Sequence, residues 1–540
     1  MEEPRENKLE ERKEKIKGWF KNPYNLVFIG ILIFAFAVRL YYFSLTANQP
    51  LWWDESEYMA SAKGYAGVTD YKLESIRLPG FPMLMSTFFI LGITSELLIR
   101  FIALFIPSLI VILLIYLCIN EMYADKRIAL ISTLIISVLW EHLFYSNRFH
   151  TENFALIFEF IAIYILLKSY LKKQNLLFIK PKNTLIWVIL FSLLAVLFRP
   201  GNLPFVLAIL LFLVYINKHK FFTKKSIVPV LFFAFAALVL FFFLPNTSVY
   251  QSIIGTYYHP NLPLAWQTLS VFHGFYQSVS SGIPSVLYYA FIAGIIIFVI
   301  DMLINFEKIK RLKDDAENFD LKSDFFNALI ILSMMFMMIF IVRPYPSYEF
   351  RWFFPLLTGM LAFTGKGLVT FSEYVGKLFK NKAVVIVLIL LFSGIGVYTQ
   401  LAHSDAIIKV KLDSYGQVKE SGLWLKQNSN PRDIIVSASV PQHSYYSERK
   451  IIDYYIRGPN NETIHNETAF NDKINKFKPK YLVVSVFEPV FTPQWAYDWP
   501  QKHNETVKPV QAYYLDKEQK QLALVIYEFS NYDLKNQSSA

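Results

Sequence analysis

Apolar stretches long enough to cross a hydrocarbon layer recur along the chain, each followed by a short polar segment. They lie at about 25–44, 101–119, 127–144, 154–171, 184–198, 203–217, 226–244, 284–304, 324–342, 352–370 and 383–401. A helix rises 1.5 Å per residue, so runs of this length predict membrane-spanning helices. The expected architecture is therefore a polytopic α-helical membrane protein of about eleven spans. The polar segments give its direction. Loops 124–127, 168–182, 218–225, 308–322 and 366–382 are rich in Lys and Arg, which places them in the cytoplasm by the positive-inside rule. An odd number of spans then puts the N-terminus inside and the C-terminal segment outside. Residues 80–94 are apolar too, but the stretch is short, opens with Pro79-Gly80-Phe81-Pro82, and as a span would put the basic loops outside. It is predicted to be an interfacial or re-entrant helix.

Beyond residue 401 the period changes. Residues 414–426 read as an amphipathic helix with Val418, Leu423 and Leu425 apolar. Strand-like runs follow at 434–439, 451–455, 481–487 and 522–529, divided by Asn, Pro and Lys clusters. Three regions result: a cytoplasmic leader over 1–24, a membrane domain over 25–401 with a first outer loop over 45–100, and an extracytoplasmic α/β domain over 402–540.

Composition changes little in this picture. Hydrophobic residues make up 54% of the chain, an apolar load that a water-soluble surface does not carry. The 53 Lys and Arg against 42 Asp and Glu would suit nucleic acid, but the excess collects in loops between spans, where orientation accounts for it. The one cysteine, Cys118, lies in an apolar run and reads as a core residue. The leader is charged and the apolar stretch behind it is too long for a cleaved signal. Asn-x-Ser/Thr tripeptides at Asn246, Asn461, Asn466, Asn504 and Asn536 all fall on the exterior side of the eleven-span arrangement.

The candidate chemistry sits on that outer face. Trp52-Trp53-Asp54-Glu55-Ser56-Glu57-Tyr58 follows the first span directly, so three acids stand at the membrane–water boundary beside two tryptophans. Arg77 shares that loop. The second outer loop carries Glu141, Arg148, His150 and Glu152, a hairpin tip carries Arg199-Pro200-Gly201, and a late turn carries Arg343, Glu349 and Arg351. The long outer loop 245–283 has no charged side chain and is rich in aromatic residues, which suits the interface. Ionisable groups near hydrocarbon are expensive and by default mark a site. The plain alternative is that Arg199 and Arg351 are snorkelling anchors and that Asp54 only ends a helix. Three acids within four residues argue against the latter. Sugar transfer from a polyprenyl phosphate needs a carboxylate to deprotonate the acceptor and cations to hold the departing phosphate, for which the arginine fork is suited.

On these residues the chain resembles the dolichyl-phosphate-mannose protein mannosyltransferases of the glycosyltransferase C superfamily, and the related lipid A aminoarabinose transferases. The Asp54-Glu55 pair lies in the first outer loop as in that family. Arg77-Leu78-Pro79-Gly80-Phe81-Pro82 is similar to its basic element opening an interfacial helix, with Gly80 in place of a second proline. Gly92 through Glu96 and Arg100 resembles its lead into the next span. Tyr145-Ser146-Asn147-Arg148 through Glu152 looks like the stretch with a second outer acid, where Asp is frequent. Glu349-Phe350-Arg351-Trp352 with Pro355 is similar to its late turn, with Trp for the usual Tyr. The Trp-Trp-Asp of oligosaccharyltransferases belongs to their soluble domain and is followed by Tyr-Gly, so the likeness to Trp52-Trp53-Asp54 is read as coincidental.

The resemblance implies an inverting membrane glycosyltransferase of the plasma membrane, with its site on the extracytoplasmic face. It implies Asp54 as general base, with Glu55 shaping the pocket or aiding acceptor binding. It implies Arg77, Arg351 and Arg199 as donor-phosphate ligands, and Glu152 and His150 on the acceptor side. No metal is required, although two nearby acids leave a divalent ion open. Dolichyl and undecaprenyl carriers both remain open, as do protein, glycan and lipid acceptors. A transporter or flippase of lipid-linked glycans is the alternative. It is disfavoured because the charges gather at one end of the spans rather than at the midplane, with Glu159 and Asp301 as exceptions.

Overall fold

The computed structural model describes the chain except residues 1–9, 11–12, 15–16, 74–76, 222–272, 274–275, 278–279, 284–285, 314, 316, 340–348, 458–462, 465, 531 and 533–540. The predicted span 226–244, most of the aromatic loop 245–283, Arg343, and Asn246, Asn461 and Asn536 lie outside the described residues. The protein is a mostly helical multi-pass membrane protein with a small C-terminal sheet. Among the described residues seven helices are long and apolar enough to span, and eight if one bent pair counts as a single span.

The first is α1 (Pro23–Thr46), started by Asn22, whose side chain accepts from the Tyr24 amide. Helix α2 (Trp53–Tyr65) follows at once, and then the eleven-residue α3 (Gly80–Ile90). The latter is about half the length a crossing needs, as its flanking prolines suggested. Gly80 itself is dictated by packing: a Cβ there would stand 2.6 Å from the Leu197 carbonyl oxygen. This close approach accounts for the glycine at this position. The helices Glu96–Tyr123, Glu152–Leu171, Pro181–Phe198, Val286–Ile304, Phe350–Leu378 and Lys382–Val410 supply the other spans. They enclose one large core with Val111, Phe160, Phe212, Phe326 and Leu361 buried in it.

The predicted span 127–144 departs from expectation. It is two helices, Lys126–Val138 and Trp140–Ser146, bent by 53° at Leu139. A break inside an apolar bundle leaves carbonyls and amides without partners, which hydrocarbon cannot satisfy. Here two distant side chains do. Arg39 of α1 donates to the Ser137 carbonyl at 2.7 Å, to the Ile136 carbonyl at 3.2 Å and to His142 Nδ1 at 2.9 Å. The Gln400 side chain accepts from the Trp140 amide at 2.9 Å.

The C-terminal part holds a five-stranded sheet in the order β2-β1-β5-β7-β6. Strands β1 (Ile434–Ser437), β2 (Lys450–Ile452) and β5 (Tyr481–Ser485) run parallel, and β7 (Leu522–Phe529) and β6 (Val507–Tyr514) pair antiparallel at one edge. A short hairpin, β3 (Ile456–Arg457) with β4 (Thr463–Ile464), stands apart. Strand β6 was not predicted. It is a largely unburied edge strand, one residue in eight being buried, with Pro509 beside an irregularity in register, so its Pro-containing sequence lacks the buried-strand pattern. The amphipathic helix is Gly416–Asn428.

The sheet part is seated on α2 rather than tethered loosely. Lys63 Nζ donates to the Tyr445 carbonyl at 2.8 Å and pairs with Glu448 at 2.7 Å, and the Tyr446 hydroxyl accepts from the Leu51 amide at 2.8 Å.

The bend at Leu139 yields a stability prediction. Arg39→Leu leaves two buried carbonyls without donors and is expected to destabilise the protein by roughly 2–4 kcal/mol. Gln400→Leu orphans the Trp140 amide and the Gly282 carbonyl, to which the same side chain donates at 3.0 Å, and is expected to destabilise by somewhat less than Arg39→Leu, since Arg39 also bonds His142. Thermal unfolding of the purified variants in one detergent checks both the loss and its order.

Candidate active site

Helix α2 begins where α1 delivers the chain, with Trp52 extended at φ −81° and ψ 180° as its N-cap. Glu55 closes that start. Its carboxylate accepts from the Trp52 amide at 2.9 Å, from the Phe149 amide at 3.0 Å and from Arg148 Nη1 at 3.0 Å. Arg148 in turn lies over the Trp52 ring at 3.5 Å. Arg148 holds the Glu55 carboxylate ionised and below its ordinary range against the opposing effect of burial. Glu55 is thus turned inward and ties the start of α2 to Arg148 and Phe149.

Asp54, one residue earlier, faces the other way and is the more exposed of the two, at 33% of its side chain. Its carboxylate pairs with Arg77 Nη2 at 2.7 Å and approaches Arg351 Nη2 at 3.6 Å. Burial alone would raise its pKa, but Arg77, His150 and Arg351 together hold it at about 2. Arg77 is gripped by one face of α2: Asp54, Glu57 three residues on, which is fully buried and paired with Arg77 Nε, and Tyr58 four residues on, whose hydroxyl accepts at 3.3 Å. Burial disfavours the charge on Arg77, and Asp54, Tyr58 and Glu57 more than compensate, so its pKa is raised.

Arg351 stands at the start of Phe350–Leu378, paired through Nε with Glu349. Its Nη1 lies 3.8 Å from Glu152 and 3.4 Å from His150 Nδ1. Arg199 completes the group, with Nη1 2.9 Å from Glu152 and Nη2 donating to the Arg351 carbonyl at 2.7 Å. Burial pushes the His150 pKa down against the opposing pull of Glu152. Tyr58 is half-buried, and the loss of solvent around its hydroxyl pushes its pKa up to about 12.

Of the residues singled out in the sequence, Asp54, Arg77, Arg351, Arg199, Glu152 and His150 come together in one chain of contacts. Glu55 does not face them, although it is adjacent in sequence. Glu57, Tyr58 and Glu349 complete the cluster and were not assigned roles. For Glu57 and Tyr58 the signal was present in their spacing from Asp54, which shares one helical face at i, i+3 and i+4. Among the described residues no three of His, Cys, Asp or Glu gather as a metal cage, and Asp54 and Glu57 both engage Arg77.

The C-terminal part reaches this cluster. Phe491 stacks on Trp53 with centroids 4.6 Å apart and planes 19° apart. The turn that presents it is tied by Glu488, whose carbonyl accepts from the Phe491 amide at 3.0 Å and whose carboxyl accepts from Gln442 at 3.1 Å. Burial pushes the Glu488 carboxyl up to about 7 against the hydrogen bonds from Gln442 and Tyr415.

No protein-family profile matches the chain, and no curated protein does. Solved structures do. The oligosaccharyltransferase of Archaeoglobus fulgidus, tethered to an acceptor peptide containing the NVT sequon, aligns with a TM-score of 0.56 at 15% identity, over 96% of this chain and 76% of that one. ArnT of Cupriavidus metallidurans in the apo state aligns with a TM-score of 0.54 at 11% identity, over 92% of this chain and 98% of that one. The same protein bound to undecaprenyl phosphate gives 0.50 at 12% identity with the same coverage. The chain therefore shares the fold of these two proteins, in line with the fold its resemblance implied.

The Glu488 carboxyl has a sign that follows from its raised pKa. Folding favours its protonated form, so its contribution is fully present below the ordinary glutamate value of about 4.5 and is lost as pH rises through about 7. Between pH 5 and 8 the wild-type melting temperature is expected to fall, and Glu488→Gln to flatten that fall. Differential scanning fluorimetry across the range, wild type beside variant, measures it.

Proposed function

We propose that this protein transfers a sugar from a polyprenyl monophosphate to an acceptor at the extracytoplasmic face of the plasma membrane. The observation that carries this reading is the Asp54 carboxylate set between Arg77 and Arg351 at the ends of membrane helices. The shared fold supports it, as do the groups bound in the two neighbours, an acceptor peptide in one and undecaprenyl phosphate in the other.

In this reaction Asp54 takes the proton from the acceptor nucleophile as that atom attacks the anomeric carbon. The bond from that carbon to the phosphate oxygen breaks, and the polyprenyl phosphate leaves with the bonding pair. The configuration inverts because there is a single displacement. Arg351, Arg77 and Arg199 hold the phosphate and the charge that builds on it. Until the phosphate arrives, Arg77 and Arg351 are the guanidinium groups that hold Asp54 at a pKa of about 2, too low for an efficient base. A phosphate that draws Arg351 and Arg77 toward itself releases the carboxylate and raises its basicity, so donor binding arms the base. Glu152, between Arg199 and Arg351, keeps both forks aimed at one point. Glu55 serves the site by fixing the start of α2. In this reading residues 25–401 form the membrane domain with its catalytic first outer loop at 45–100, 1–24 is a cytoplasmic leader, and 402–540 covers the site from outside. A protein, a glycan and a lipid each satisfy the acceptor requirement.

The test is sugar release from radiolabelled polyprenyl-phosphate sugars by purified protein, wild type beside Asp54→Asn. The wild type is expected to turn over, and the variant to lose roughly 10²–10⁴-fold in rate with its melting temperature retained. Binding of polyprenyl phosphate without turnover by the wild type, across a panel of donors and acceptors, would instead favour a carrier of lipid-linked glycans.

A further inference from the structure

Glu159 lies inside the helix Glu152–Leu171, fully buried among apolar neighbours, and nothing in the reaction above uses it. One carboxyl oxygen accepts from the Asn202 side chain at 2.7 Å, and the other has no hydrogen-bond partner. Leaving a carboxyl in such a place is costly, so it is retained for something other than stability. Its partner says what. Asn202 is itself buried, at 1% exposure, and ends the short turn Pro200–Asn202 that follows Arg199. The Asn202 amide donates to the Arg199 carbonyl at 3.0 Å. Glu159 is therefore an anchor for the base of the turn from which Arg199 extends.

The same helix also anchors the other end of that arginine. Glu152 stands seven residues before Glu159, two helical turns away on one face. It binds Arg199 Nη1 at 2.9 Å, while Nη2 donates to the Arg351 carbonyl at 2.7 Å. One helix thus fixes Arg199 at both backbone and guanidinium, and through the Arg351 carbonyl fixes a second cation.

We infer that Glu159 and Asn202 are positioning residues for the phosphate-binding arginines, acting through Arg199 from within the membrane. This rests on the reading that Arg199 and Arg351 hold the donor phosphate. The requirement on residue 159 is an acceptor oxygen, not a charge, so glutamine satisfies it and leucine does not. Asn202 supplies the donor.

The experiment measures affinity for undecaprenyl phosphate, with undecaprenol as the phosphate-free control, on the full chain in lipid nanodiscs. Glu159→Leu and Asn202→Ala are each expected to weaken undecaprenyl phosphate about tenfold, the scale of one lost hydrogen bond to a charged group, and to leave undecaprenol unchanged. Glu159→Gln is expected to bind both lipids as the wild type does. Because Asn202 acts through Arg199, the double variant Arg199→Ala with Asn202→Ala should be no weaker than Arg199→Ala alone. The inference is overturned if Asn202→Ala binds undecaprenyl phosphate as tightly as the wild type, or if it loses both lipids equally. Should Glu159→Leu fail to fold, Asn202→Ala and the double variant decide the matter. If Arg199→Ala and Arg351→Ala themselves leave undecaprenyl phosphate affinity unchanged, the phosphate reading fails first. If they weaken it and Asn202→Ala does not, only the positioning role is lost.

Discussion

A carboxylate held between two guanidinium groups organises one end of the helical part of this molecule. Asp54 lies 2.7 Å from Arg77 and 3.6 Å from Arg351, side chains that come from opposite ends of the membrane part. Neither arginine is balanced by Asp54 alone. Arg77 also pairs with Glu57 and bonds Tyr58, while Arg351 pairs with Glu349 and neighbours Glu152. Arg199 then balances Glu152. A half-completed set of charges at such a depth would be more damaging than none, because each unpaired ion retains its full desolvation penalty. The cluster is therefore a unit, and the loops and helix ends that contribute to it must arrive together.

The same rule governs the helices below. Arg39 and Gln400 close the two sides of the break at Leu139. At another level Lys366 lies between Asp301 and Asp324, at 2.7 and 2.8 Å, and the Tyr123 hydroxyl donates to Asp324 at 2.7 Å. These polar side chains embedded in apolar runs answer one another, or a backbone group that the fold leaves open. What looks in the sequence like a scatter of isolated polar residues is a set of pairs. Glu159 with Asn202 belongs to it, with the difference that one of its carboxyl oxygens remains unanswered.

This pairing explains what could be read from the chain and what could not. Spans, the short helix at 80–90 and the amphipathic helix after 414 follow from periodicity and length, which are local properties. The clustering of Asp54, Arg77, Arg199 and Arg351 was legible because all stand at span ends of one sign, so topology alone brings them to one face. The break at Leu139 was not legible: leucine carries no signal for it, and the residues that make it tolerable are about a hundred and more than two hundred and fifty positions away. The inward turn of Glu55 was hidden for a related reason. Neighbours on a helix start point in different directions, and only the position of Arg148 and the Phe149 amide decides which acid faces inward. Strand β6 was missed because an exposed edge strand needs no apolar alternation. The seat of the sheet part on α2 depends on Lys63, Tyr445 and Tyr446, none of which is unusual in its own segment.

The low basicity of Asp54 looks at first like an argument against its proposed role, and it is better read as part of it. An open site holding a strong base beside a reactive donor would invite water as the acceptor. In the proposed reaction the cations that depress the base are the groups that the donor's phosphodiester would engage, so basicity and donor occupancy would be coupled through the same two forks. The coupling needs arginines that can shift without leaving the site. The surrounding acids provide for this: Glu57 keeps Arg77, and Glu349 with Glu152 keeps Arg351, while either fork turns from carboxylate to phosphate. Lysine would serve less well, because its compact ammonium lacks the planar fork that can hold a carboxylate on one edge and present paired donors to a phosphate on another. The excess of carboxylates around three arginines, which would be wasteful in a static anion site, is what an exchange of partners requires.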